Sequence, residues 1–151
     1  MAPAPYELDD RVRLSVYRHF VRRGLAPAVR DISDKLSASP AAIAASLERL
    51  AAAHVLVLDP ATRRLWMAMP FSAVPTAFRV RTSGGQWWAN CAWDALGISA
   101  MLQAAAEIIT SCAGCGDPPP IRTTGRALLT GSGVVHFAVA AASWWDDIGF
   151  T

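Results

Sequence analysis

In Asn90-Cys91-Ala92-Trp93-Asp94 the residue types and their spacing suit chemistry. The segment lies where an alternating strand pattern gives way to a helical one. With Asn90 as the cap, Cys91 falls in the first helical turn. Unpaired backbone N–H groups there favour an anion and depress a thiol pKa. Asp94, three residues on, shares that helix face, and its carboxylate would raise the same thiol, so the two effects oppose each other. A thiolate beside a carboxylate can bind a soft metal and handle a proton. The competing reading is a structural Cys with an Asp that caps the helix or pairs with Arg.

Cys112-Ala113-Gly114-Cys115 has the spacing of half a zinc ribbon or of a redox motif. No second pair exists, and His19, His54 and His136 are distant in sequence. A four-ligand soft-metal site would therefore need Cys91, Asp94, Cys112 and Cys115 to converge in the fold; otherwise the segment is a Gly-rich turn carrying two thiols. His136 lies in the apolar run Val134–Val139 and shares a face with Val134 and Ala138 on alternation, which suits a core or interface histidine better than a ligand. Trp88 and Trp93 are expected to wall a substrate pocket, with Trp87, Trp144 and Trp145 in the core or beside it. Asp146-Asp147 reads as solvated or capping. There is no phosphate-cradling Gly loop and no Ser nucleophile elbow.

The elements that must position these groups fall into two parts. Val12, Val16 and Phe20 recur four apart and predict a helix over 9–23, closed by Gly24. Ile32 and Leu36 predict a second helix over 29–37. Ser39-Pro40 caps and opens a third, with Ile43, Leu47 and Leu50 inward. Residues 55–58 and 65–69 predict strands joined by the turn Asp59-Pro60-Ala61-Thr62. Three helices and such a hairpin make a winged helix-turn-helix. Pro70 and Pro75 discourage helix, so a linker is expected there. Strands are predicted over 78–82, 86–89, 107–111 and 134–139, with turns at Ser83-Gly84-Gly85 and Gly131-Ser132-Gly133. A helix is predicted over 90–103, and a capped helical turn over Ser143–Ile148. The fold class is α+β: a winged-helix N-terminal domain over 1–72 and a small mixed α/β catalytic-type domain over 73–151.

The chain has 151 residues, 53% hydrophobic and 17% charged, which excludes disorder and suits one domain or two small ones. Net charge is +2, divided as +3 over residues 1–72 and −1 over 73–151. That is too little to predict a nucleic-acid partner. A DNA-reading third helix would show Ala41, Ala42, Ala45, Ser46 and Arg49, few groups for reading bases. Arg63 and Arg64 at the wing tip could meet phosphate. No apolar run reaches membrane-spanning length and Met1 to Asp10 lacks a signal-like apolar region, so no membrane partner and a cytoplasmic location are expected. Three cysteines argue against a disulfide framework.

Trp87-Trp88-Ala89-Asn90-Cys91-Ala92-Trp93-Asp94-Ala95-Leu96-Gly97-Ile98 resembles the active-site segment of the organomercurial (alkylmercury) lyases. Val134-Val135-His136-Phe137 and Trp144-Trp145-Asp146-Asp147-Ile148-Gly149-Phe150-Thr151 are similar to later segments of that family. The resemblance implies a winged helix that packs on the catalytic part, and protonolysis of a carbon–mercury bond. Cys91 would be the thiolate nucleophile and mercury ligand, and Asp94 the proton carrier. No cofactor is implied; Hg²⁺ is a ligand of substrate and product, and free thiols release it. The partner is a small organomercurial or a soft metal ion. In relatives a second catalytic Cys follows a segment like Phe150-Thr151, where this sequence ends. The expectation therefore divides between lyase activity and soft-metal binding without cleavage. Cys112 matches a family position regarded as structural, and Cys112 or Cys115 could serve as second thiol. An exposed Trp144-Trp145 patch would favour a homodimer.

Overall fold

A computed structural model describes residues 5–131 and 133–149. Ser132, Phe150 and Thr151 lie outside the described residues. Helix α1 spans Pro5–Arg23, α2 Val29–Leu36 and α3 Pro40–Ala52. Ser39 caps α3 by accepting from the Ala42 N–H, as the Ser-Pro pair predicts. Strands β1 (Val57–Leu58) and β2 (Leu65–Ala68) pair antiparallel around the Asp59 turn. Where a linker was expected, Phe71–Ser72 forms β3, paired with β2 on one side and with β5 (Gly85–Ala89) on the other. Proline excludes helix there, but it does not stop the two residues between Pro70 and Ala73 from joining a ladder.

The chain continues through β4 (Phe78–Thr82), β5, α4 (Ala92–Leu102), β6 (Ala106–Ile109), β7 (Ile121–Thr123) and β8 (Leu128–Thr130). All eight strands form one antiparallel sheet in the order β1-β2-β3-β5-β4-β6-β7-β8. The architecture is α+β: N-terminal helices followed by an antiparallel eight-strand sheet. No described helix is long and apolar enough to cross a membrane.

Period-two alternation sorts the central strands. Val80, Trp87, Ala89 and Ile108 face a core shared with Phe20 of α1, Phe71 of β3 and Ile98 of α4. Phe20 and Phe71 stack with centroids 5.3 Å apart. The buried Trp87 Nε1 donates to the Phe20 carbonyl at 2.8 Å and ties β5 to the end of α1. Gly24 follows at φ +69°, and a Cβ there would stand 2.5 Å from the Gln86 carbonyl oxygen, so only glycine permits this approach. The opposite face carries Arg79, Trp88, Arg81 and Glu107: Arg79 lies over the Trp88 ring at 5.7 Å, and Arg81 pairs with Glu107 across strands.

The expectations for the strand over 134–139, for His136 and for Ser46 are corrected by the structure. The strand predicted over 134–139 is not formed: β8 extends the sheet instead, Gly131 and Gly133 sit at φ +144° and +129°, and Val134 is 93% exposed. Alternation signals a strand only where a ladder neighbour exists. His136 is accordingly exposed rather than a core histidine. Ser46, expected on the outer face of α3, is fully buried and donates to Asp9 Oδ1 at 2.6 Å. The helical turn near Trp144 is a 3-10 helix over Ala141–Asp146. Its Trp145 stacks on His54, with centroids 4.0 Å apart, and Trp144 Nε1 donates to the Val139 carbonyl, so part of the expected Trp patch is engaged within the chain.

Candidate active site at the start of the fourth helix

Strand β5 delivers the chain to the N-terminus of α4, and the residue that caps it is Cys91, not Asn90 as the sequence suggested. Cys91 is extended (φ −147°), and its Sγ accepts the Asp94 N–H at 3.4 Å. This leaves Asn90 free to reach Asp94: its Nδ2 donates to Asp94 Oδ2 at 3.0 Å. The Asn90 side-chain oxygen, Oδ1, is buried with no hydrogen-bond partner among the described residues. Thiol and carboxylate are near enough that each acts on the other's proton. Thiol, carboxyl and amide therefore form one half-buried cluster within five residues of chain.

The electrostatics correct the expectation of a depressed thiol. Burial pushes the Cys91 thiol up; the Asp94 N–H pulls it down, and the Asp94 charge pushes it up again. At this helix start desolvation outweighs the N–H groups. Burial also raises Asp94, against the pull of Asn90 and Cys91. Both groups hold a proton more tightly than in water, which keeps one available between sulfur and carboxylate.

An open groove of about 560 Å³ is lined by Asp10, Arg13, Leu14, Tyr17, Met69 and Met101. Tyr17 is the residue of this groove that feels the Asp94 charge. Its hydroxyl donates to the Met69 carbonyl at 3.0 Å, burial raises its pKa, and the charges of Arg13 and Asp94 both act on it. Sequence reasoning missed these residues. Tyr17 and Asp94 are more than seventy positions apart, and no local pattern joins α1 to α4. Of the expected pocket walls, Trp88 is half-buried under Arg79, and Trp93 is 65% exposed on α4.

Cys112 and Cys115 are free and exposed, on the turn between β6 and β7. The backbone N–H groups of Cys115 and Gly114, and then the Cys115 thiol, lower the pKa of Cys112. The four-ligand convergence does not occur: among the described residues, no three Cys, His, Asp or Glu side chains gather to hold a metal ion. Cys91 with Asp94 and Cys112 with Cys115 are two separate pairs.

Two of the arginines that could have met DNA are engaged within the chain. Asp9 takes Arg49 through Nε at 2.9 Å and Nη2 at 2.6 Å, and Arg63 pairs with Glu48. Arg49 is the one arginine expected on the outer face of α3.

Comparison with known proteins adds three findings. No curated protein matches this chain. Among solved structures, the crystal structure of the mercury-bound form of MerB2 is similar, with a TM-score of 0.64 and 21% sequence identity over 85% of this chain. The match spans 65% of that structure's chain. The alkylmercury lyase (MerB) family profile matches residues 71–151, more than half of the sequence and all of the segment from β3 onward. The chain belongs to the alkylmercury lyase family.

Proposed function

We propose that this chain cleaves carbon–mercury bonds by protonolysis, with Cys91 as nucleophile and Asp94 as proton carrier. The observation that supports this best is the half-buried cluster in which the Cys91 sulfur accepts the Asp94 N–H at 3.4 Å and Asn90 holds the Asp94 carboxylate at 3.0 Å, with both pKa values raised. As the Cys91 sulfur bonds to the mercury of an organomercurial R–Hg–X, X⁻ departs and the thiol proton moves to the Asp94 carboxylate. Mercury, as a soft cation, drives that deprotonation. The Asp94 proton then passes to the carbon of R, which keeps the electron pair of the breaking Hg–C bond and leaves as R–H. Cys91 is left bearing Hg(II) beside an ionised Asp94. Two external thiolates carry the metal away, and Cys91 regains a proton.

Asn90 holds the carboxylate in place through its amide N–H. The groove beside Tyr17 offers Leu14, Met69 and Met101 to the organic group; a cavity of about 150 Å³ suffices for a benzene ring. The three helices and the β1–β2 hairpin act as a winged helix that packs on the catalytic part, a reading supported by the engagement of Arg49 and by the Trp87–Phe20 bond. Free Cys91, Cys112 and Cys115 suit a reducing cytoplasm.

The test is phenylmercury with excess free thiol: benzene and Hg²⁺ form with this chain and not with Cys91→Ser. Benzene formed equally by Cys91→Ser overturns the proposal. A second reading, soft-metal binding without cleavage, is favoured by one observation: no third Cys, His, Asp or Glu joins Cys91 and Asp94 among the described residues. Uptake of phenylmercury with no benzene released would select it.

A further inference from the structure

The turn between β6 and β7 has the local build of a metal knuckle. In Cys112-Ala113-Gly114-Cys115-Gly116 two thiols are spaced three residues apart on a closed loop. The Gly116 N–H returns to the Cys112 carbonyl at 2.8 Å, and the Cys112 N–H donates to the Asp117 carbonyl at 2.8 Å. Gly116 stands at φ +80° with open space around its Cα, a conformation that lets the chain double back after the second thiol. A Cβ placed on Gly114 would stand 3.8 Å from the Cys112 sulfur, so the loop folds back over that thiol. Both side chains face solvent, so an ion can arrive without any opening of the core.

What the knuckle lacks is the other half. A structural zinc site takes four ligands. Among the described residues no third Cys, His, Asp or Glu side chain completes this pair into a set that could hold a metal ion. Two thiolates alone suit a soft cation content with two sulfur ligands, of which Hg²⁺ is the leading example. We propose that Cys112 and Cys115 form a second, surface dithiol site on this chain that chelates one inorganic Hg²⁺ ion, separate from Cys91. The two thiols lose two protons, two S–Hg bonds form, and no redox change occurs. The site does not depend on Cys91 cleaving anything; its use would be to hold a mercuric ion at the surface, where small thiols can collect it.

The experiment uses the full chain carrying Cys91→Ser, titrated with mercuric chloride against a competing monothiol. Bound mercury, remaining free thiols and intact mass are read together. One Hg²⁺ per chain is expected, with both remaining thiols consumed and the mass that of a monomer. Further replacement of Cys112 or Cys115 by Ser should weaken retention about a hundredfold, because the second ligand acts at high effective concentration. Zn²⁺ in place of Hg²⁺ should be lost to the same competitor. Circular dichroism of the Ser variants checks that the exposed turn tolerates them. The proposal is overturned if Cys91→Ser retains no more Hg²⁺ than the chain lacking all three thiols. One thiol consumed per ion, or an ion bridging two chains, also overturns it. Phenylmercury cleavage by the parent chain is measured separately, so failure of either proposal is visible apart from the other.

Discussion

Asp9→Ala tests how the helical part is built and what it can do. The Asp9 carboxylate is buried under α3 and accepts Ser46 Oγ at 2.6 Å, Arg49 Nη2 at 2.6 Å and Arg49 Nε at 2.9 Å. Removing it leaves the fully buried Ser46 hydroxyl without this acceptor, at about 1–3 kcal/mol. The Arg49 side chain is 43% exposed, so loss of the ion pair adds only about 0–1 kcal/mol. The expected loss is therefore about 1–4 kcal/mol, read from urea denaturation of parent and variant. Adding Ser46→Ala to Asp9→Ala removes the stranded hydroxyl, so the double variant should recover about 1–2 kcal/mol. The pH dependence has a defined sign. The Arg49 hydrogen bond holds Asp9 below its ordinary 3.8. The associated stability is present above that value and lost as pH falls through the lower, folded-state pKa. Asp9→Ala should flatten that acid limb. A loss below about 0.5 kcal/mol, or strictly additive single and double variants, would refute the reasoning.

Asp94→Asn should move stability in the opposite sense. Burial raises the Asp94 pKa, so its contribution is greatest below 3.8 and declines as pH rises through the folded value. Thermal melts across pH should show the parent losing stability over that window, with the Asn variant level and at least as stable at pH 7. Asn90→Ala removes the Asp94 amide contact, worth about 1.5–3 kcal/mol to the charged carboxylate. A further rise in the Asp94 pKa is expected, visible by carboxyl NMR titration. Met101→Trp should fill the groove beside Tyr17 and raise KM for phenylmercury by about tenfold or more, with a smaller change in kcat.

Local rules recovered much of the fold. The four-residue spacing of Val12, Val16 and Phe20 marked the buried face of α1, and Ser39-Pro40 marked the start of α3 to the residue. The alternation of residues 78–82 gave β4 as formed. Long-range partnership escaped. Phe71–Ser72 is a strand because β2 and β5 flank it, and Val134–Val139 is not one because β8 extends the sheet instead. At the site, Cys91 and Asp94 were legible because they are three residues apart on one helix start. The cap position was displaced by one residue, and the sign of the thiol shift reversed, because burial is a tertiary property. Tyr17, Met69 and Met101 carried no signal, since α1 and α4 meet only in the fold.

The central claim is that Cys91 takes mercury and Asp94 delivers the proton. Its most direct measurement is intact-protein mass after phenylmercury is added to Asp94→Asn, with benzene followed in the same sample. The account predicts a phenylmercury adduct on residue 91 that persists without benzene, whereas the parent chain releases benzene carrying one deuterium when the reaction is run in D₂O. Benzene released by Asp94→Asn at the parent rate, or an adduct that maps away from residue 91, would contradict it.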